Sequence, residues 1–163
     1  MNALAKVVSL HDLYLLDLQD DKQAMIVNKR LLDIIPSHPV GNFNQGASLF
    51  REASHLPDPE AQKQKLAQAI VAYTKSLASD SLFVQARYNR GYCYFLVQNE
   101  NPAIKDLQKV IELDPKNHQA YFLLGSIYEH FQDKKSALEN YQKAVASKPD
   151  FADAIEAVVE LSK

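Results

Sequence analysis

The sequence predicts an all-α protein, a stack of antiparallel helix pairs, and three observations carry that expectation. The first is self-similarity at a fixed offset: Gly91 and Gly125, Tyr94 and Tyr128, Ala103 and Ala137, Leu107 and Tyr141, and Pro115 and Pro149 each lie 34 residues apart. The second is the helical spacing of apolar residues inside each period. The stretch HQAYFLLGSIYEHF sets Phe122, Gly125, Ser126 and Glu129 on one stripe with Tyr121, Leu124 and Tyr128 beside them. The third is composition. Only 4 of 163 residues are Gly, which argues against a β-sandwich or barrel with its many tight turns. The 47% hydrophobic content, with 23% charged, excludes wholesale disorder.

Taken along the chain, the period defines the elements in order. Ala69 and Tyr73 stand 34 before Ala103 and Leu107, and Ser81 is a looser match to Pro115. Further back the offset becomes 45: Gly46 to Gly91, Leu49 to Tyr94, Ala24 to Ala69 and Pro36 to Ser81. Leu15 lies 34 before Leu49, so 11 extra residues fall between Leu49 and Ala69. The units are 5–38, 39–83, 84–117 and 118–151, followed by 152–163, within a single domain 1–163. In the first unit only Leu15, Ala24 and Pro36 keep the phase, because Asp12 replaces the glycine and Asn28 the aromatic. In the second, Asp58-Pro59 reads as a cap and first helical residue. That predicts a helix from Pro59 to about Ala78, facing one from about Val40 to His55. The third has Asn101-Pro102 as its internal cap, and the fourth has Asn117 and Asp133, with Pro149 stopping its second helix. The final segment, FADAIEAVVELSK, gathers Phe151, Ile155, Val158, Val159 and Leu161 on one side, as a capping helix would.

Small residues at Gly91, Gly125, Ala103 and Ala137 let helices approach closely, while Tyr94, Tyr128, Leu107 and Tyr141 fill the space between hairpins. A lone hairpin of this length cannot bury its apolar face, whereas stacked hairpins share one core. With ARYNRGYCYFLVQNENPAIKDLQKVIELDP and AYFLLGSIYEHFQDKKSALENYQKAVASKPD, the chain resembles the tetratricopeptide repeat family. The likeness is strong over 84–151, moderate over 39–83 and weak over 5–38. It implies a right-handed α-solenoid of about four repeats. Arg87 departs from the family's Trp or Leu near the start of the first helix.

Charge and motifs narrow the function classes. The chain has 18 Lys+Arg against 20 Asp+Glu, a net charge of -2, which speaks against a nucleic-acid clamp. The single cysteine, Cys93, excludes an intramolecular disulfide framework and a thiolate-rich metal site. His11, His38, His55, His118 and His130 form no metal-ligand spacing, and there is no GxGxxG, GxxxxGK[ST] or GxSxG. No segment reaches the roughly 18 apolar residues of a membrane span. Lys6, His11, Asp12 and Asp17 interrupt the N-terminal apolar stretch, which argues against a secretory signal. The expectation is a cytoplasmic protein without catalytic chemistry, metal or cofactor.

The resemblance also places the first helix of each pair on a concave surface. It points Ser9, Leu13 and Leu16 inward from the first unit, and Phe43, Asn44, Ala47, Phe50 and Arg51 from the second. Tyr88, Asn89, Tyr92 and Phe95 follow from the third, and Phe122, Ser126, Glu129 and His130 from the fourth. The expected peptide-binding set is therefore Phe43, Asn44, Phe50, Tyr88, Asn89, Tyr92, Phe95, Phe122, Ser126 and Glu129. This is an aromatic groove for an extended peptide or amphipathic helix, with side-chain amides to bond its backbone. The alternative is that some of these aromatics are buried between helices or covered by the C-terminal segment.

Family members that grip the C-terminal carboxylate of heat-shock chaperones use Lys, Asn and Arg on these faces. Here the basic pair falls on Gln85 and Asn89, or on Gln119 and Leu123, which disfavours that partner. The leading expectation is a protein–protein adaptor or scaffold. A resemblance in size to translocator chaperones of bacterial type III secretion, with homodimerisation through the N-terminal helices, and an accessory domain of a larger protein or enzyme are the alternatives.

Overall fold

In the computed structural model of the chain, residues 21–163 are described. Among them all regular structure is α-helical: α1 (Asp21–Ile34), α2 (Pro39–Ser54), α3 (Pro59–Ser79), α4 (Val84–Leu96), α5 (Glu100–Leu113), α6 (His118–His130), α7 (Lys134–Ser147) and α8 (Ala152–Leu161). Of the expected first unit, α1 is the second helix. Ser9, Asp12, Leu13, Leu15 and Leu16, and with them the leading helix invoked for dimerisation, lie outside the described residues. Helices pack on their chain neighbours: α1 on α2 and α2 on α3, then α5 on α6, α6 on α7 and α7 on α8. The chain divides into two compact units, Met1–Ala86 and Arg87–Lys163, parting in the first turn of α4.

Capping side chains explain where the helices begin. Asp58 accepts from Glu60 N and Ala61 N at 3.2 and 3.3 Å ahead of Pro59. Asn117 accepts from Ala120 N at 3.0 Å and Asp133 from Ser136 N at 3.1 Å. Each satisfies an amide that the helix itself leaves unpaired. At α2 the cap is His38, whose Nδ1 accepts from Gly41 N at 3.1 Å, so the imidazole proton sits on Nε2. One expectation is corrected. Helix α5 starts at Glu100 with Asn99 in the N-cap position, so Asn101 is inside the helix. Pro102 is tolerated there because first-turn amides have no intrahelical acceptor.

The first helices of the third and fourth repeats end alike. Gln98 and Gln132, 34 apart, both adopt left-handed backbone, with φ of 60° and 61°. Asn99 N reaches back to Tyr94 O and Asp133 N to Tyr128 O, at 2.8 and 2.9 Å. Gln98 N bonds Phe95 O and Gln132 N bonds Glu129 O, at 2.9 and 2.8 Å. This paired closure usually places glycine at the left-handed position, because a Cβ is disfavoured there.

In the first unit the core is Leu31, Ala53, Leu66, Ala69, Tyr73 and Leu77. Gly46 meets the Tyr73 ring so closely that an added Cβ would stand 2.7 Å from Cε1. Asn28, in the place of an aromatic, is buried and donates to Gly41 O at 3.0 Å. Asn42 is 1% exposed and ties off the α1–α2 turn by donating to Pro36 O and His38 O. The 11 extra residues lengthen this hairpin at its tip. Helix α2 has 16 residues against 13 in α4, α3 has 21 against 14 in α5, and the connection is one residue longer. Lys65 and Glu52 pair across the added length at 2.6 Å.

The second unit repeats the seam at Gly125, where a Cβ would lie 2.5 Å from Tyr141 Cε1. At Gly91 the partner is Leu107, and the nearest atom, Asp106 Cβ, is 3.3 Å away. Asp106 is buried, 4% exposed, and takes a two-point bond from Arg90: Nε to Oδ2 and Nη2 to Oδ1, both 2.7 Å. Arg87 Nη1 reaches Oδ1 at 3.4 Å. The family departure at Arg87 thus has a local counterpart: a guanidinium stands in place of Trp or Leu, beside a buried carboxylate. Losing Asp106 would strand two part-buried cations, a change that costs about 3–5 kcal/mol in comparable networks.

Two predictions follow from these contacts. Gly125→Ala should lower unfolding free energy by about 1–3 kcal/mol, through overpacking against the buried Tyr141 ring. Gly91→Ala should be neutral or stabilising, since its looser contact is offset by about 0.8–1 kcal/mol of helix propensity. Urea denaturation of both variants compares them directly. Separately, Gln132→Gly should raise the melting temperature, gaining about 0.5–1 kcal/mol from relief of the left-handed backbone; a thermal scan beside Gln98→Gly checks it.

Candidate binding face of the first helices

The ten residues expected on the binding face divide by environment. In the first unit, Phe43, Asn44 and Phe50 are all half-buried on α2. The Phe43 ring packs against Tyr73 of α3 and against Phe83, with centroids 5.9 and 4.9 Å away. In the second unit Phe122 does the same. Its ring lies 5.3 Å from Tyr141 of α7 and 5.1 Å from Phe151, the residue ahead of α8. Phe43 and Phe122 are therefore wedges between the helices of their hairpin and the segment that follows, with only part of each ring open to solvent. The C-terminal segment does cover Phe122, through Phe151.

On α4, Tyr88, Asn89, Tyr92 and Phe95 are each half-buried. Tyr88 and Tyr92 are one turn apart. Burial, with the neighbouring Tyr92 second, pushes the Tyr88 phenol up to about 12, so it is a neutral ring with a protonated hydroxyl at physiological pH. Cys93, also on α4, is fully buried, and burial pushes its thiol up to about 12. The thiolate needed for nucleophilic chemistry does not form at neutral pH.

Ser126 and Glu129 are brought together by a residue assigned only to the core in the sequence reading. The Tyr141 hydroxyl donates to Glu129 Oε2 at 2.7 Å and lies 3.2 Å from Ser126 Oγ, while Ser126 Oγ donates to Phe122 O at 3.2 Å. Burial first, and the Glu129 hydrogen bond and charge after it, push the Tyr141 phenol up to about 12 despite the opposing Ser126 contact. Glu129 itself is exposed. Phe83 and Phe151 were also missed as partners of the binding-face aromatics. Their signal was present, since they are 68 residues apart, two periods.

Profiles of the tetratricopeptide repeat match residues 84–117 and 118–151. The chain is a tetratricopeptide repeat protein. Among curated relatives, Hsp70-Hsp90 organizing protein 3 of Arabidopsis thaliana is 29% identical over 102 residues, 61% of this chain and 18% of that protein. The chain spans less than a fifth of the length of three curated relatives that it matches. Among solved structures, the MamA protein superposes with a TM-score of 0.76 at 22% identity, covering 97% of this chain and 80% of that one. The first tetratricopeptide domain of Spaghetti (RPAP3), bound to the HSP90 peptide SRMEEVD, superposes with a TM-score of 0.60 at 20% identity, covering 74% and 92%. At these identities the structures establish the fold. The eight described helices are those of a tetratricopeptide solenoid.

A cleft opens between the third and fourth repeats, among α5, α6 and α7. Ile111 and Gln108 of α5, Tyr121 and Tyr128 of α6, and Asn140 and Lys143 of α7 line this open cleft of about 360 Å3. Lys143 Nζ stands 6.0 Å above the Tyr121 ring there. Among the described residues no three His, Cys, Asp or Glu are grouped so as to hold a metal, and no helix is long and apolar enough to cross a membrane.

The raised phenols give a pH prediction. Tyr88 and Tyr141 have folded values near 12 against an unfolded value near 10. The folded state therefore holds these protons more tightly. Their contribution to stability is intact below pH 10 and is lost as pH rises through 12. The urea midpoint should fall between those limits, and Tyr141→Phe should flatten the fall. A spectrophotometric tyrosine titration should show a late-ionising class in the folded chain that merges with the rest in denaturant.

Proposed function

We propose that this tetratricopeptide repeat protein is a non-catalytic adaptor that holds a segment of a partner protein on the face of its first helices. The observation that carries the reading is the row on α4 of Tyr88, Asn89, Tyr92 and Phe95, three rings and an amide, all half-buried. Partly open aromatic rings gain from covering apolar surface, and an amide can donate to and accept from a peptide backbone at once. Binding of a peptide by the Spaghetti domain supports the reading as a precedent in the same fold.

An acidic tail of that kind is not the proposed ligand. Gln85, Asn89, Gln119 and Leu123 hold the positions where the resemblance places the basic pair of a carboxylate grip, and none is cationic. The arginines of α4 are engaged with the buried Asp106.

Binding of a peptide array to the whole chain tests this. Apolar contact predicts that binding survives about 1 M salt, where exposed charge pairs are screened within roughly 3 Å. Tyr92→Ala, checked for retained helicity by circular dichroism, should weaken the best peptides about tenfold. Absence of any peptide binding, or binding indifferent to Tyr92→Ala, would overturn the proposal.

A further inference from the structure

We propose that the face formed by the first helices of the second unit selects a basic segment, one that presents a lysine or arginine among apolar residues, and that Glu129 is the residue that reads the cation. This deepens the peptide-binding reading above and rests on it.

The argument is one of charge left available to a ligand. On α4 from Arg87 onward and on α6, the full charges are Arg87, Arg90 and Glu129. Both arginines are spent inside the protein. Arg90 makes its two-point bond to Asp106, and Arg87 adds a third contact to the same carboxylate. Their side chains are only 17% and 14% exposed. His130, beside Glu129 in sequence, has Nε2 3.8 Å from Glu100 Oε1. Glu129 is different. It is exposed, and no cation among the described residues lies within ion-pair distance of it.

Its carboxylate is also held in place. The Tyr141 hydroxyl fixes Oε2 at 2.7 Å, and Tyr141 is itself 2% exposed and seated against Gly125. A carboxylate oriented from below by a buried hydroxyl keeps Oε1 open to an incoming donor, with little side-chain freedom left to lose on binding. The half-buried rings of Tyr88 and Phe95 belong to the same unit. They offer π faces, which attract the same sign of charge and also cover a lysine stem. Both features favour a cation, and an acidic ligand would meet Glu129 as a like charge.

The test uses the full chain and three sets of end-blocked synthetic nonapeptides that share leucine and tyrosine anchors and differ only in Lys, Gln or Glu at the variable positions. Fluorescence anisotropy should show the Lys set binding about fivefold more tightly than the Gln set at low salt, the scale of one partly exposed ion pair, with the Glu set weakest. Glu129→Gln should erase the difference between Lys and Gln sets. Glu129→Lys should invert the order. Equal affinity for Lys and Gln sets, or a Lys preference that survives Glu129→Gln, overturns the inference while leaving the peptide-binding reading in place. Failure of all three sets to bind overturns both.

Discussion

The close approach of a glycine to a tyrosine ring is the constraint on which the hairpins depend. At Gly46 and Tyr73, and again at Gly125 and Tyr141, the backbone of one helix lies where a side chain would otherwise be, and the ring of its partner fills the gap. Burying such a ring contributes about 2 kcal/mol of hydrophobic free energy. It also fixes the separation of the two helices, and so decides where every other residue on them points. The same Tyr141 that seals the hairpin extends its hydroxyl to Glu129 and orients its carboxylate. Packing and the orientation of an exposed carboxylate are thus linked through one side chain. The third repeat relaxes the rule, with Leu107 opposite Gly91, and adds a buried ion network in compensation.

Much of this was legible in the sequence because it is periodic. A period of 34 with one break gave the helix pairs, and the Asp58-Pro59, Asn117 and Asp133 signals placed helix starts where the capping bonds are found. The errors have physical causes. Asn101-Pro102 looked like a boundary, but proline in a first turn obstructs nothing, so α5 begins at Glu100. The turns at Gln98 and Gln132 carried no glycine and gave no warning of left-handed backbone. Arg87 read as a departure because Asp106, its neighbour in space, is 19 residues away in sequence.

The binding face was less legible than the fold. Helical spacing groups residues by stripe, but a stripe does not say how much of each ring a neighbouring segment covers. Phe43 and Phe122 share their register with Tyr88, yet both are pinned by aromatics, Phe83 and Phe151, that lie beyond their own hairpins. At the same place behind Tyr88 the sequence has Asn117, a capping residue. Nor could spacing show that Ser126 and Glu129 share a hydroxyl from the facing helix.

The longer second hairpin has its own consequence. Its extra length is three residues in α2 and seven in α3, close to one and two whole helical turns. Growth by whole turns adds height without rotating the faces below, which is why Gly46 still meets Tyr73 although the loop between their helices sits farther away. A hairpin built this way can be lengthened or shortened at its tip like a mast stepped in a fixed socket, its outer end free to vary while its base stays in register.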